Sequence, residues 1–178
     1  HALRTGLGPN VVVGRGVEEL GLVANHLWCD AVALEAAVGR NQFGEAVELY
    51  QGGFLQGFFI KEAPEFERWC EQERARLRSL AYNAALILAQ IELRDRRPRE
   101  AIRWARWCYD LTPDDESALG DLMRVLCMMG NRAAALRAYD EFVERLGRDR
   151  GVRPSAVTRR LKDLLMISPE FVMDVAPE

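Results

Sequence analysis

The stretch that decides the fold is AIRWARWCYDLTPDDESALGDLMRVLCMMGNRAAALRAYDEFVERL, residues 101–146. Its apolar residues recur at the three- and four-residue spacing of amphipathic helices, and Pro113 and Gly130 mark the breaks between them. Ala101 and Ala135 lie 34 residues apart, each in the second helix of a pair. The stretch therefore predicts paired helices that repeat at a fixed period.

The same period continues around this stretch. Three further pairs of similar residues stand 34 apart: Leu88 and Leu122, Ile102 and Leu136, and Arg103 and Arg137. A helix-turn-helix period of that length is the tetratricopeptide signature. The match is partial, because Ala89 and Met123 stand where that repeat prefers glycine. We predict an all-α fold, a degenerate tetratricopeptide-like array of helical hairpins, and the alternative is an unrelated helical bundle.

Helical periodicity extends in both directions from residues 101–146. Toward the C-terminus it predicts helices at about 99–111, 115–129, 131–146 and 155–166. Toward the N-terminus it predicts a long helix from Pro64 to about Leu93, because proline is favoured in the first turn of a helix. Two shorter helices precede it, one capped by Asp30 and one that contains Ala46, Val47, Leu49 and Tyr50.

Two groups of apolar residues are expected in the interior. The loop FLQGFFIKEAP, residues 54–64, holds too many apolar side chains to leave in water, so we expect it to fold back on the core. Four tryptophans have the spacing of core or inter-helix packing, with partial exposure expected for one of the last two: Trp28, Trp69, Trp104 and Trp107.

The first 23 residues follow a different pattern. Val11, Val12 and Val13 form a β-branched run, Gly14-Arg15-Gly16 offers a turn, and residues 20–23 are apolar again. This pattern predicts a short β-hairpin. Because an isolated two-stranded ribbon is barely stable in water, we expect it to pack against the helices near Trp28.

Composition limits the class of protein. The formal net charge is −3, which argues against a generic polyanion binder. No stretch approaches 18 apolar residues and no secretory signal opens the chain, so a cytoplasmic protein without a membrane segment is expected. The four cysteines are widely spaced and form no CxxC pair, and they are predicted to be buried free thiols.

No catalytic, cofactor-binding or metal-binding constellation is found in the sequence. It contains no GxSxG, no P-loop, no dinucleotide fingerprint and only two histidines. The acidic run Asp114-Asp115-Glu116 fits the electrostatics and capping of a helix start better than acid–base chemistry. The chain is therefore predicted not to be an enzyme and to use no cofactor.

Longer ordered strings carry a family resemblance. They are CDAVALEAAV (29–38), GEAVELYQGGFLQGF (44–58), FERWCEQERARLR (66–78), residues 101–146, and GVRPSAVTRRLKDLL (151–165). Together they resemble the bacterial transcriptional activator domain found in regulators of the antibiotic regulatory protein type. In that family the domain follows a winged-helix DNA-binding domain, and residues 1–23 look like the end of one, with the hairpin as its wing.

The resemblance implies a domain organisation and a function. Residues 1–23 would be the remnant of a winged-helix domain and residues 24–178 the tetratricopeptide-like activator domain. The function implied is a protein–protein interaction module that links a DNA-bound domain to RNA polymerase or to a second protomer, as in a homodimer. DNA would be bound only through the missing winged-helix domain. The alternative is an adaptor or sensor array of a larger signalling or defence ATPase with no direct promoter role.

Two candidate contact surfaces follow from these interpretations. One is a set of arginines that would dock an acidic partner, unless they are merely solvated ion pairs: Arg96, Arg97, Arg99 and Arg103. The other is the concave groove, whose expected polar contacts are Asn83, Gln90, Ser117 and Arg124, beside Leu86, Leu93, Gly120 and Cys127. The chain's own helix at 155–166 is the alternative occupant of this groove.

Overall fold

Eight helices and one antiparallel pair of strands make up the part of the chain that the computed structural model describes, residues 2–8, 10–15, 19–23 and 26–167. The chain divides into an N-terminal unit, residues 1–77, and a C-terminal unit, residues 78–178. Helix α4, Pro64–Arg94, contributes residues to both units. No helix in the described ranges has the length and apolarity needed to cross a membrane.

The N-terminal unit begins with a short helix and the predicted hairpin. Its elements are α1 (Ala2–Leu7), β1 (Val12–Arg15) and β2 (Glu19–Leu22), with Val12 paired to Leu22 and Arg15 to Glu19. The hairpin is confirmed, but Gly14 and Arg15 extend strand β1 and do not form its turn. The connection, residues 16–18, lies outside the described residues. Strand β1 contacts α1, and Val12 is buried.

Two short helices and the start of α4 complete this unit. Helix α2 (Asp30–Gly39) packs against α3 (Phe43–Leu49), and buried Leu34, Ala37, Ala46 and Val47 fill the space between them. Small alanine side chains let such short helices approach closely. The N-cap of α2 is Cys29, so Asp30 is its first residue and not the predicted cap. Its carboxylate still accepts a hydrogen bond from the Ala31 amide, at 2.8 Å.

The tryptophans of the N-terminal unit are not core residues. Trp28 is 72% exposed, so its predicted place in the core is wrong. Trp69 is 46% exposed, although it lies on the helix face predicted to be buried. Trp104 and Trp107 in the C-terminal unit are each partly buried. The spacing of aromatic residues along a helix therefore did not determine their burial.

The C-terminal unit holds the predicted hairpin array. Helices α5 (Pro98–Leu111), α6 (Glu116–Met128) and α7 (Arg132–Arg150) follow the end of α4, and α8 (Ala156–Ile167) closes the described chain. Contacts join α5 to α6, α6 to α7, and α8 to both α6 and α7. A single apolar core lies between them, and its largest fully buried side chains are Phe142, Leu119, Leu122, Met123, Leu126 and Leu165.

The burial of equivalent residues confirms the 34-residue period. Helices α5 and α7 begin at Pro98 and Arg132, which are one period apart. Ala101 and Ala135 are both fully buried, and Arg103 and Arg137 are both exposed. Small residues at the alanine positions leave room for the paired helix, as the repeat requires. The all-α array predicted from the sequence is therefore the fold of this unit.

The connection into α8 depends on a glycine. Gly151 caps the C-terminus of α7 in the left-handed conformation, with φ +65°, and its amide donates to the Gly147 carbonyl at 3.1 Å. Glycine adopts this conformation without the steric cost that a Cβ would bring. Pro154, which is buried, then leads into α8. The chain therefore turns sharply here, and α8 packs back onto α6 and α7.

Candidate protein interaction surfaces

The turn between α4 and α5 concentrates positive charge on the surface of the C-terminal unit. Helix α4 ends where Arg96 adopts a left-handed φ of +57°, and the Arg97 amide bonds back to the Glu92 carbonyl at 2.8 Å. Pro98 then starts α5. We call the predicted docking residues at this turn the arginine surface: Arg96, Arg97, Arg99 and Arg103. All four are exposed.

These four arginines are not equally engaged. The Arg97 guanidinium lies 2.6 Å from a Glu92 carboxylate oxygen and 3.1 Å from Asp95. The Arg103 guanidinium lies 3.2 Å from Glu100 and stacks over the Trp104 ring, 4.3 Å from its centroid.

Within the part of the chain that the structure describes, Arg96 and Arg99 form no ion pair. The interpretation as solvated ion pairs therefore fits Arg97 and Arg103. Among the described residues, Arg96 and Arg99 have no counterion.

A second cluster of arginines runs from the end of α7 into α8: Arg145, Arg148, Arg150, Arg153, Arg159 and Arg160. Two of its members form ion pairs within the C-terminal unit. Asp114 pairs with Arg150 at 2.8 Å and with Arg145 at 3.5 Å. Arg145 also donates to the Tyr109 hydroxyl at 2.7 Å and to the Pro113 carbonyl. These bonds tie the end of α7 to the turn before α6, so Arg145 and Arg150 act as a structural brace.

The four polar residues predicted to line the groove differ in their exposure and in their contacts. Asn83, Gln90 and Ser117 are exposed, as expected for contact residues. Arg124 is instead held by Asp121 at 2.9 Å, and the other oxygen of that carboxylate accepts the Tyr82 hydroxyl at 3.0 Å. Burial raises the pKa of the Tyr82 hydroxyl, and the neighbouring Asp121 charge adds to this effect. The three side chains form a network that links α4 to α6.

The middle of the groove is covered by the chain's own C-terminal helix. Gly120 and Cys127, predicted to face the groove, are buried. A Cβ placed on Gly120 would lie 3.0 Å from a methyl carbon of Leu161 in α8. Leu165 of the same helix is fully buried in the core. Helix α8 is therefore the occupant of this part of the groove, which was the alternative left open by the sequence.

A carboxylate fastens α8 to the start of α6. Glu116 accepts hydrogen bonds from the Ser155 amide at 3.0 and 3.1 Å, from the Ser155 hydroxyl, and from the buried Thr158 hydroxyl. We call these three residues the α8 anchor. Partial burial by itself raises the pKa of the Glu116 carboxyl, but the hydrogen bonds outweigh it and the pKa is lowered. Asp115 caps α6 through the Ser117 amide, as predicted for this acidic run.

The apolar loop after α3 is held in place but remains exposed. We define the aromatic patch as its apolar residues and the two α4 rings beneath them: Phe54, Leu55, Phe58, Phe59, Ile60, Phe66 and Trp69. The Phe54 ring meets Trp69 edge-on at 5.5 Å, and the Phe58 and Phe66 centroids are 5.9 Å apart. Leu55 and Phe58 to Ile60 are nevertheless exposed. The expectation that this loop would be buried on the core is wrong for these residues.

Sequence reasoning missed a cleft in the N-terminal unit. It has a volume of about 450 Å³ and is lined by α2, by the segment after α3 and by Leu77 of α4. Cys29 lies at this cleft and is only partly buried, whereas the other three cysteines are buried free thiols as predicted. Because the residues that line this cleft come from three separate segments, no local sequence motif could have predicted the cleft. No metal-binding group of three or more His, Cys, Asp or Glu occurs among the described residues.

Comparison with known families identifies a match that covers most of the chain. Residues 30–165 match the model of a family described as "Bacterial transcriptional activator domain". The matched region begins at the first residue of α2 and ends within α8. It therefore contains the arginine surface, the groove, the α8 anchor and the aromatic patch, and it excludes the hairpin. Comparison with curated proteins finds no match.

Proposed function

This chain belongs to the bacterial transcriptional activator domain family, and from that premise we propose that it is the protein–protein interaction module of a transcriptional regulator. It would link a DNA-bound domain to RNA polymerase or to another protomer. The family match over residues 30–165 carries this proposal, because it makes the chain a transcriptional-activator-type module. The module would act in the cytoplasm, without a cofactor and without catalysis.

The arginine surface is the contact that we propose for the partner. Arg96 and Arg99 are exposed and form no ion pair with the described residues, in a chain whose net charge is −3. Partner charges can therefore bind them without first displacing an internal carboxylate. Arginine and tryptophan are the residue types that most often dominate binding energy at protein interfaces. The Arg103–Trp104 stack places both types on one helix.

The polar groove residues Asn83, Gln90, Ser117 and Arg124 form a second proposed contact. Because α8 covers Gly120 between them, they would engage a partner from the rim and not as the floor of an open channel. We propose that residues 1–23 are the end of a winged-helix domain whose wing is the hairpin, and that residues 24–178 form the activator domain. DNA contact would come from the rest of that winged helix.

The test is retention of purified RNA polymerase by the immobilised chain at low and at high salt. The test variant carries Arg96→Ala and Arg99→Ala. The control carries Arg148→Ala and Arg153→Ala, which remove two exposed arginines outside the arginine surface. We expect salt-sensitive retention by the native chain and the control, and a loss of about tenfold or more in the test variant.

Two outcomes would contradict the proposal. Equal loss in both variants would mean that overall charge, and not the arginine surface, attracts the polymerase. Absence of retention by the native chain would count against a polymerase contact. If the immobilised chain then retained a signalling ATPase from a whole-cell lysate, the adaptor alternative would replace the proposed function.

A further inference from the structure

The loop that carries the aromatic patch is fixed in a conformation that exposes apolar side chains. Arg74 donates to the Phe54 carbonyl at 2.8 Å and to the Leu55 carbonyl at 3.0 Å, and its charge is balanced by Glu71 at 2.5 Å. The Ile60 amide also lies within hydrogen-bonding distance of Glu67, at 3.4 Å. The loop is therefore anchored at both ends to α4.

Backbone strain accompanies this exposure. Leu55 and Glu62 have left-handed φ values of +47° and +62°, which cost energy for residues that carry a Cβ. They flank the segment in which Phe59 is 69% exposed and Phe58 and Ile60 are also exposed. The loop therefore holds three consecutive apolar side chains in water at a cost in conformational energy. This combination is typical of a binding surface.

A second exposed apolar face lies on α8. Val157, Leu164 and Ile167 follow one another at helical spacing and are all exposed, Val157 by 78% and Ile167 by 77%. Arg160 lies within the same stripe, and the opposite face of α8 packs on the core through Leu165. Apolar residues grouped on an exposed helix face are typical of an interaction surface. We call Val157, Arg160, Leu164 and Ile167 the α8 stripe.

The charges around these two faces are opposite in sign. The segment 61–71 at the aromatic patch carries four glutamates against one lysine and one arginine. The segment 151–167 that contains the α8 stripe carries four basic residues against Asp163. Exposed Glu62 and Glu65 border the patch in sequence, and exposed Arg160 lies inside the stripe. An apolar contact between the two faces would therefore also bring opposite charges together.

From these observations we infer that the occupant of the aromatic patch is the α8 stripe of a second copy of this chain. The two faces differ, so the contact is heterologous: the patch of one copy takes the stripe of the next, head to tail. This self-association is separate from the arginine surface. It does not depend on whether RNA polymerase is the partner.

The size of the faces sets the strength of the contact. Large aromatic side chains bury about 150–250 Å² each, so the exposed parts of the patch amount to roughly 400 Å². That is comparable with the largest apolar patch of a typical monomer. It is about half of the roughly 800 Å² per partner in a standard stable interface. The association should therefore be reversible and dependent on protein concentration.

Sedimentation velocity of the 178-residue chain over a range of concentrations tests the inference. Phe59→Glu disables the patch and Val157→Glu disables the stripe, and both positions are exposed, so neither change should disturb the fold. We expect the native chain to self-associate. For each variant alone, the association constant should be lower by about tenfold or more. An equimolar mixture of the two variants should form a discrete one-to-one dimer, because the intact stripe of one fits the intact patch of the other.

Matched controls separate this contact from a general effect of added charge. Ala133→Glu places the same carboxylate in the first turn of α7 that Val157→Glu places in the first turn of α8. Gln72→Glu adds an exposed carboxylate to α4 beside the patch segment. Both controls should associate like the native chain, and circular dichroism should show the same helix content in all variants.

Three results would overturn the inference. A native chain that stays monomeric at every concentration would exclude the contact. Loss of association in only one of the two variants would indicate contact between like faces, patch to patch or stripe to stripe. A mixture of variants that remains monomeric, while each variant is folded, would show that the two faces do not bind each other.

Discussion

Two regions of this chain treat their apolar residues in opposite ways: the core of the C-terminal unit buries them, and the loop of the aromatic patch in the N-terminal unit exposes them. In the C-terminal unit Phe142 is 1% exposed and lies in a core shared by α5, α6, α7 and α8. In the N-terminal unit Phe59 lies in solvent on a loop held by Arg74. Both are phenylalanines in ordered segments. The difference shows that burial depends on a packing partner for the segment and not on the hydrophobicity of the residue.

The contrast divides the molecule into a stabilising part and a presenting part. The C-terminal unit gains its free energy of folding from removing apolar surface from water. The aromatic patch leaves much of its apolar surface wet, so this surface contributes little to the folding of the chain. The free energy of removing this apolar surface from water can instead be gained when a partner covers it. Changes in the two regions should therefore differ sharply in their effect on stability.

The largest effect should come from truncating the buried phenylalanine. We expect Phe142→Ala to reduce the free energy of unfolding by about 3–5 kcal/mol, because it removes buried apolar area and leaves a cavity. Phe59→Ala should change it by less than about 0.5 kcal/mol, because the ring is already in water. Equilibrium unfolding in urea, followed by circular dichroism, measures both.

Similar losses for the two phenylalanine variants would break the comparison. They would show that the exposed loop is part of the cooperative core, and the argument for a presenting surface would lose its basis. The same experiment applied to Trp69→Ala gives an intermediate case, since this ring is half exposed and contacts both Phe54 and Phe66.

The success of sequence reasoning follows the same division. Residues 98–167 are helical nearly as predicted, because every helix there has a periodic apolar face and a helix breaker at each end. The loop at 54–64 and Trp28 were wrongly expected in the core. Their hydrophobicity is plain in the sequence, but whether another element reaches them depends on long-range contacts. Local pattern carries no information about such contacts.

The candidate surfaces were predictable to different degrees. The exposed arginines at the α4–α5 turn follow from charge and helix breakers, so their location could be inferred. The sequence could not show which of these arginines form no ion pair with the described residues. The pair between Arg97 and Glu92 depends on the left-handed turn at Arg96, which no local pattern predicts. Coverage of Gly120 by Leu161 required the path of the chain after Gly151, which one glycine and one proline suggest but do not define.

The next largest effect should come from the close approach of α8 to α6. Gly120→Leu should lower the free energy of unfolding by about 1–3 kcal/mol, because a side chain there meets Leu161. Gly147→Leu is the matched control, since a Cβ at Gly147 meets nothing within 4 Å. In the control, leucine has a better helix propensity than glycine and should raise the free energy of unfolding by about 0.5–1 kcal/mol.

This pair of glycine variants sharpens the comparison by testing closure of the C-terminal unit directly. Opposite signs at the two positions would place α8 firmly on α6. Equal stabilisation at both would mean that α8 yields without cost. The closed core of the C-terminal unit would then extend only through α7.

The smallest effect concerns the contacts that hold α8 and the loop of the aromatic patch in place, and it depends on pH. The α8 anchor depends on the Glu116 carboxylate, whereas the first residues of the loop of the aromatic patch, Phe54 and Leu55, are held by Arg74, which stays protonated at all accessible pH values. Because the pKa of Glu116 is lowered in the folded chain, its contribution is complete above the ordinary glutamate pKa of about 4.3. It is lost as the pH falls through the lowered folded value.

We therefore expect Glu116→Gln to reduce the free energy of unfolding by about 1 kcal/mol at neutral pH, through weaker hydrogen bonds to Ser155 and Thr158. The difference between native chain and variant should shrink on acidification below the pKa of Glu116. Amide protection factors should then fall in α8. A difference that stays constant on acidification would show that another group fastens α8.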